Sequence, residues 1–565
     1  RTTDARGETT ERDYDALGRL LERAAPAVDG DRARVRYRHN PDDTVRRVER
    51  PRGEYDDDTI DDPYIADEFE YDTLGRRTGA VFGTNTATPR RYSYEYDGEG
   101  RLLRAEGPSG AVTTTRYDER GRPLAVTEAA DSDRPATTRF VYDRNGNRTA
   151  TVDPAGLRTD TEYDPFDRPD TVIQPGKSGE RTTVSYQYGP DDRVAGVTVE
   201  GVPEPGAPRE TLTALSRRHD ERGRPYERTV GGVTTTTWYD ADGRVEKRVG
   251  PQGGETTFAH DGLDRVTERV DPAGNTRRVA YAGVHGPETV TEVDVAPDGS
   301  METYEHETSR DARGRVDAVT DPLGNTRSVE YDVRSLAVAA ELPDGTRIET
   351  AYGLSGEPVE RTLAANSPRA ATHTWTRDDR GRVVEYVDPT GGATEYDYGP
   401  HGALSRIEYD DGSEHRWEYR DGTVLDAETR PDGTTVDYGY DAAGRLDHRS
   451  FTEGPSVAST PDVAVDFDGL GRPVESRQGS HTLARRYDER SRVVEETVDG
   501  DTVTRDYDDR AGTMDLTYPD GRIDRYTSDA AGRLTAVTLR QSGAASLTGS
   551  LSAGDDIARY EYVGT

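Results

Sequence analysis

The chain has 565 residues, 31% hydrophobic and 33% charged, with 110 acidic against 74 basic side chains for a net charge of −36, and no cysteine. A field of that sign repels nucleic acid and anionic membranes, and without cysteine there are no disulfides or thiolate metal sites. The sequence holds no 18-residue apolar run long enough for a spanning helix, and Lys177 and Lys247 are its only lysines, which gives it a halophile-like acidic composition.

Tyrosine outnumbers phenylalanine 32 to 7, and the tyrosines recur at fixed spacing among Val, Thr and Arg, which is not the pattern of a disordered chain. The first anchor is Tyr14-Asp15-Ala16-Leu17-Gly18-Arg19, and a weaker one follows at Tyr37. The acidic stretch Glu54 to Glu70 reads as a long loop, so residues 1–70 are expected to be irregular N-terminal repeats and 71–565 a regular repeat array. From Tyr71 the register runs through Tyr96, Tyr117, Tyr142 and Tyr163 to Tyr507 and Tyr562, with His219, His260, Arg310, Arg377, Phe467 and Ser528 standing in for tyrosine. Of 24 anchors 17 are followed by Asp, and 13 of the 23 gaps are 20 or 21 residues, a density that chance does not produce.

One period shows the design. The stretch from Arg315 holds two strand-length runs, the second Thr326–Tyr331, separated by Asp321-Pro322-Leu323-Gly324, and Tyr331-Asp332-Val333-Arg334 turns the chain into the next pair. Asp, Pro and Gly suit the first, second and last places of a type I turn, with a positive φ expected at the glycine. The extra residues of longer units, such as Gly83–Arg90, Ala129–Pro135, Gln174–Glu180, Gly201–Arg209, Ala364–Arg369 and Thr452–Pro461, all fall at the Asp-Pro-x-Gly place. Gly231-Gly232 and Asp499-Gly500-Asp501 are tight substitutes there. Length variation is therefore expected along one edge of a ribbon. Helix is expected to be minor, and Gln541–Ile557 reads as a long loop.

No motif of chemistry survives inspection. Gly176-Lys177-Ser178 lacks the first glycine of a phosphate loop, because position 171 is Thr171, and Gly98-Glu99-Gly100 reads as a turn. The ten histidines are scattered, and His219 and His260 occupy the tyrosine place. The cluster Asp56, Asp57, Asp58, Asp61 and Asp62 reads as solvated surface rather than a cation site. The arginines after the turn glycine (Arg19, Arg76, Arg101, Arg122, Arg244, Arg315, Arg445) are expected to pair across strands with the Asp of neighbouring units. No catalytic, cofactor-binding or metal residue is assigned, and the chain is expected not to be an enzyme.

Tyr-Asp-x-x-Gly-Arg followed by Asp-Pro-x-Gly-x-Thr-x-x-x-Tyr resembles the YD repeat of the RHS (rearrangement hot spot) family, related to teneurins and to the C component of insecticidal Tc toxins. Tyr142–Tyr163, His260–Tyr281, Arg310–Tyr331 and Arg377–Tyr396 carry it best, and it covers most of Tyr71–Tyr562. The resemblance implies an all-β ribbon of hairpins spiralling into a hollow shell. It implies a non-catalytic structural role in a secreted or cell-surface protein, enclosing a C-terminal toxin or effector domain. The alternative is a teneurin-like adhesion module binding glycan or protein through its loops. Partners would be the enclosed effector and other shell subunits or a surface glycan. The physics agrees: about 46 strands at about 4.8 Å spacing make a ribbon too wide to stay flat. The family's core segment and toxin domain are not found in this sequence, which opens and closes in mid-pattern and reads as a fragment. Asp153-Pro154-Ala155-Gly156-Leu157 resembles a core motif but sits mid-chain as an ordinary hairpin turn.

Overall fold

A computed structural model describes the chain except residues 4–8, 28–31, 52–63, 87–88, 109, 177–180, 282–285, 297–298, 354–355, 379, 421–423, 542–555 and 561–565. Among the described residues every regular element is a β-strand, 48 in all, and none is a helix. Successive strands pair antiparallel: Val316–Thr320 with Thr326–Tyr331, and Thr326–Tyr331 with Ala337–Glu341.

The two turns of a period share one construction. At the hairpin turn the Gly324 amide donates to the Asp321 carbonyl (2.9 Å) and the Asp321 amide to the Asn325 carbonyl (3.0 Å). At the tyrosine turn the same two bonds join Gly314 to Asp311 and Asp311 to Arg315, both at 2.9 Å. The aspartate side chain completes each loop, because Oδ1 of Asp321 accepts from the amides of Leu323 and Asn325. Closure needs a left-handed residue, and Gly324 has φ of +81°. Asp43, Asp167, Asp192, Asp264, Ser335 and Ser491 take that place elsewhere with φ between +61° and +72°. Most tyrosine turns add a β-bulge, seen as a register shift between Glu330 and Tyr331, although the turn after Tyr507 keeps its register.

Length variation lies where the sequence places it. The long connections fall between Phe82 and Arg90, Glu128 and Ala136, Gly201 and Glu210, Leu363 and Ala371, and Thr452 and Val463, each closing a hairpin. The two tight substitutes are two-residue turns with both residues at positive φ: Gly231 at +53° with Gly232 at +74°, and Asp499 at +51° with Gly500 at +97°.

Two readings of loops need correction. Tyr64–Tyr71 is a strand, with Ile65, Ala66 and Asp67 buried. Its acids mislead because they are paired: Asp67 is held by Arg50 at 2.9 and 3.1 Å. The rest of that acidic stretch, with the Asp56 to Asp62 cluster, lies outside the described residues. Gln541 ends the strand Leu534–Gln541 and Ile557 lies in the strand Asp556–Arg559, while 542–555 lie outside the description.

The core is thin. Its most buried apolar residues are small, among them Ala66, Ala80, Val112, Ala150 and Val436, so a sheet with few large apolar side chains suffices.

The chain divides into two compact units: one of residues 1–139, 281–289 and 305–434, the other of 140–280, 290–304 and 435–565. In the first unit the hairpin turns of an early pass meet the tyrosine turns of a later one. Arg313 donates to the Pro26 carbonyl (3.2 Å) and Arg134 to the Tyr419 carbonyl (2.8 Å), partners 287 and 285 positions apart. The second unit repeats the rule: Thr182 Oγ1 donates to the Gly469 carbonyl and Thr213 Oγ1 to the Glu489 carbonyl, both at 2.8 Å, 287 and 276 positions apart. The Gly469 amide returns a bond to the Val202 carbonyl (2.9 Å). Backbones touch there, and a Cβ on Gly469 would stand 3.0 Å from the Cα of Gly201.

Candidate functional site

The feature that recurs in three dimensions is the tyrosine edge of the ribbon. Arg315 Nε donates to Asp311 Oδ2 of its own turn at 2.6 Å, and its Nη1 reaches the backbone carbonyl of Asp332 in the next turn at 3.2 Å. The same guanidinium lies over the ring of Tyr331, 4.4 Å from its centroid. Tyr331 Oη then donates to the Val316 carbonyl (2.7 Å), just after the turn in which the ladder step began.

Arg76, Asp72, Tyr96 and the Asp97 carbonyl repeat the step, as do Arg472, Asp468, Tyr487 and the Asp488 carbonyl. At Arg445 the ring is Phe467, and the step holds without a hydroxyl.

The expected pairing of these arginines is therefore corrected. Each takes the aspartate of its own turn, because a side chain four residues on folds back over the loop it closes. The link to the neighbouring unit goes chiefly to a backbone carbonyl. An acid of the next unit is added at Arg19 with Asp43, Arg168 with Asp192 and Arg244 with Asp264.

The aspartates respond electrically. The Arg101 backbone amide, followed by its guanidinium, holds the Asp97 carboxyl below its ordinary value. Asp240 is lowered in the same way by Arg244. These are carboxylates fixed in the ionised state, not acids poised to give up a proton.

The remaining sequence features are structural. His219 and His260 end strands at the tyrosine place, each with the usual register shift. Gly98-Glu99-Gly100 lies in a tyrosine turn, with Gly100 at φ +88°. Asp153–Leu157 is a hairpin turn closed by two 3.0 Å backbone bonds. Lys177 and Ser178 lie outside the described residues. Among the described residues no group of three or more His, Asp or Glu is placed to hold a metal ion. Sequence reasoning did not find a row of aromatic side chains on one face of residues 371–420. His373, Trp375 and Tyr386 stack there with centroids 5.9 to 6.2 Å apart, and His415 lies on Trp417 at 3.9 Å. The signal was two of the chain's three tryptophans within 43 positions.

Turn, bulge and arginine ladder together define a protein built of antiparallel hairpin repeats. The RHS Repeat family model matches residues 89–133, 142–178 and 239–276. The solved TcdB2-TccC3 without its hypervariable C-terminal region is similar over 93% of this chain and 34% of that one, with TM-score 0.56 and 13% identity. TcdB2-TccC3-TEV is similar over the same shares with TM-score 0.51. Double-stranded DNA deaminase toxin A of Burkholderia cenocepacia (strain H111) is 29% identical over 160 residues, 28% of this chain and 11% of that protein. The chain thus spans about a third of the solved structures it matches and about a tenth of the curated relative. Three stretches of the chain match the RHS repeat, 120 of its 565 residues.

Proposed function

We propose that this chain is a structural segment of a shell wall in a secreted or cell-surface toxin-related protein, and that the complete wall isolates a C-terminal effector from solvent. The observation that carries this reading is the fold likeness to TcdB2-TccC3 over 93% of the chain. The ladder supports it, because nearly every conspicuous side chain of the described repeats holds a neighbouring repeat. In this reading the wall is structural. Activity would belong to the enclosed domain, as the name of the deaminase toxin suggests for that relative.

The test uses the full-length gene product. Limited proteolysis should leave its C-terminal segment intact while the shell is folded and degrade it once the shell is unfolded by acid or urea. Digestion at the same rate in both states would sink the enclosure reading and favour adhesion through the long hairpin loops.

A further inference from the structure

Within the first unit the seam between the early and later passes does not close everywhere. A cavity of about 500 Å³ opens beside the bond from Arg313 to the Pro26 carbonyl, a size in the range of small-molecule sites. The early pass supplies Arg23, Val35, Arg50 and Ile65 from four successive strands, with Arg23 opposite Val35 and Arg50 opposite Ile65. The later pass supplies two tyrosine turns, with Arg313 from one and Val333, Arg334 and Leu336 from the other. The walls are thus aliphatic, with guanidiniums set among them.

Four arginines around one cavity are out of character for a chain with 110 acidic and 74 basic side chains, and no carboxylate is among the lining residues. A seam does not require them. The second unit has a cavity of about 340 Å³ at its own seam, where Leu157, Pro175 and Leu470 are joined by one arginine, Arg445, and by Asp153. In the first unit two of the four are matched by acids behind the wall. Asp67 accepts from Arg50 at 2.9 and 3.1 Å, and the buried Asp332 accepts from Arg334 at 2.7 Å. Arg313 is fixed in place by the carbonyls of Pro26 and Val333. Arg23 differs from these. Among the described residues it makes no hydrogen bond or ion pair, and its cross-strand neighbours are Arg12 and Val35, neither of them an acid.

We propose that this cavity is a binding site for a small aliphatic carboxylate, with its head on Arg23 and its chain against Val35, Ile65 and Leu336. One unmatched guanidinium calls for one negative charge, and its planar fork takes a carboxylate through two parallel hydrogen bonds. Arg50 and Arg334 are already paired, so they shape the wall without calling for further anions. The aliphatic side chains remove the ligand's methylenes from water, which a bare anion could not exploit. The field of the whole chain repels anions, so selection has to come from contacts inside the cavity. This inference does not depend on what the shell encloses.

A ligand-observed NMR titration of the full-length gene product tests it with three probes. Hexanoate carries head and chain, hexanol keeps the chain without the charge, and acetate keeps the head without the chain. Hexanoate is expected to bind with a Kd of about 1 mM or tighter, and the other two at least about tenfold more weakly. Arg23→Gln should weaken hexanoate at least about tenfold while keeping the parent melting temperature, since that side chain is exposed. Arg218→Gln, at an exposed arginine of the second unit, should leave hexanoate binding unchanged. Absence of hexanoate binding, hexanol or acetate binding as tightly, or undiminished affinity in Arg23→Gln would overturn the proposal. An equal loss in Arg218→Gln would overturn it too, because the effect would then be one of overall charge.

Discussion

The two edges of the ribbon are built from the same turn, yet one varies far more in length. Hairpin connections grow by many residues, whereas the tyrosine turn after Tyr507 gains one, pairing Tyr507 with Met514 where Tyr331 pairs with Ala337. At the tyrosine edge Arg315 is committed to its own Asp311, to the ring of Tyr331 and to the carbonyl of Asp332, so an added residue would break contacts in two units. At the hairpin edge Asp321 serves only its own loop, through Leu323, Asn325 and the turn backbone. A turn that closes on itself can be lengthened at little cost, whereas one that grips its neighbour cannot.

Acid should affect both edges and have the largest effect. The carboxyls of Asp97, Asp311 and Asp321 lie below their ordinary value of 3.8 in the folded chain. Their contribution is thus fully present above that value and lost as pH falls through it toward the lower folded values. Thermal unfolding should be nearly flat from pH 7 to 5 and collapse below about 4. A steep loss between pH 7 and 5 would mean that the turn aspartates do not control acid unfolding.

Single substitutions separate the edges. Asp468→Ala empties a position 1% exposed and strands Arg472, so urea unfolding should show a loss of about 3–5 kcal/mol. Asp321→Ala should cost about 1 kcal/mol. Equal losses would mean that the edges do not differ in coupling. Gly324→Val isolates backbone strain, since an added Cβ meets no atom within 4 Å while φ is +81°. A cost of about 1–3 kcal/mol is expected, and a change within noise would remove strain as the reason for the glycine. Tyr331→Phe should cost least, about 0.5–1.5 kcal/mol for the bond to the Val316 carbonyl, because Phe467 shows the ladder tolerating a missing hydroxyl.

Much of the fold was legible in the sequence because its determinants are local. The strand runs, the turn aspartates, the positive φ at Gly324 and the confinement of long insertions to one turn all follow from residues within a single period. The seam was not legible. Gly201 and Gly469 resemble any other turn glycine, and nothing nearby marks them as partners across 268 positions. The arginine partners were misread for a related reason: charge alone allows either aspartate, and only the geometry of the closed loop selects the nearer. The strand Tyr64–Tyr71 was hidden by acids whose counter-charges sit on other strands. The candidate site, a ladder and not a pocket, was visible as a motif without its connections.

The close approach of Gly201 and Gly469 has a consequence for how such a chain can evolve. Deleting a whole period between them would leave every remaining turn, bulge and ladder step locally intact. It would nonetheless bring the following turn opposite Gly201, and Glu489, which holds the place of Gly469 in that turn, cannot enter the space that glycine leaves. The number of repeats between the two passes is therefore set by a meeting of backbones far apart in the chain, and repeats should be gained or lost freely only outside that interval.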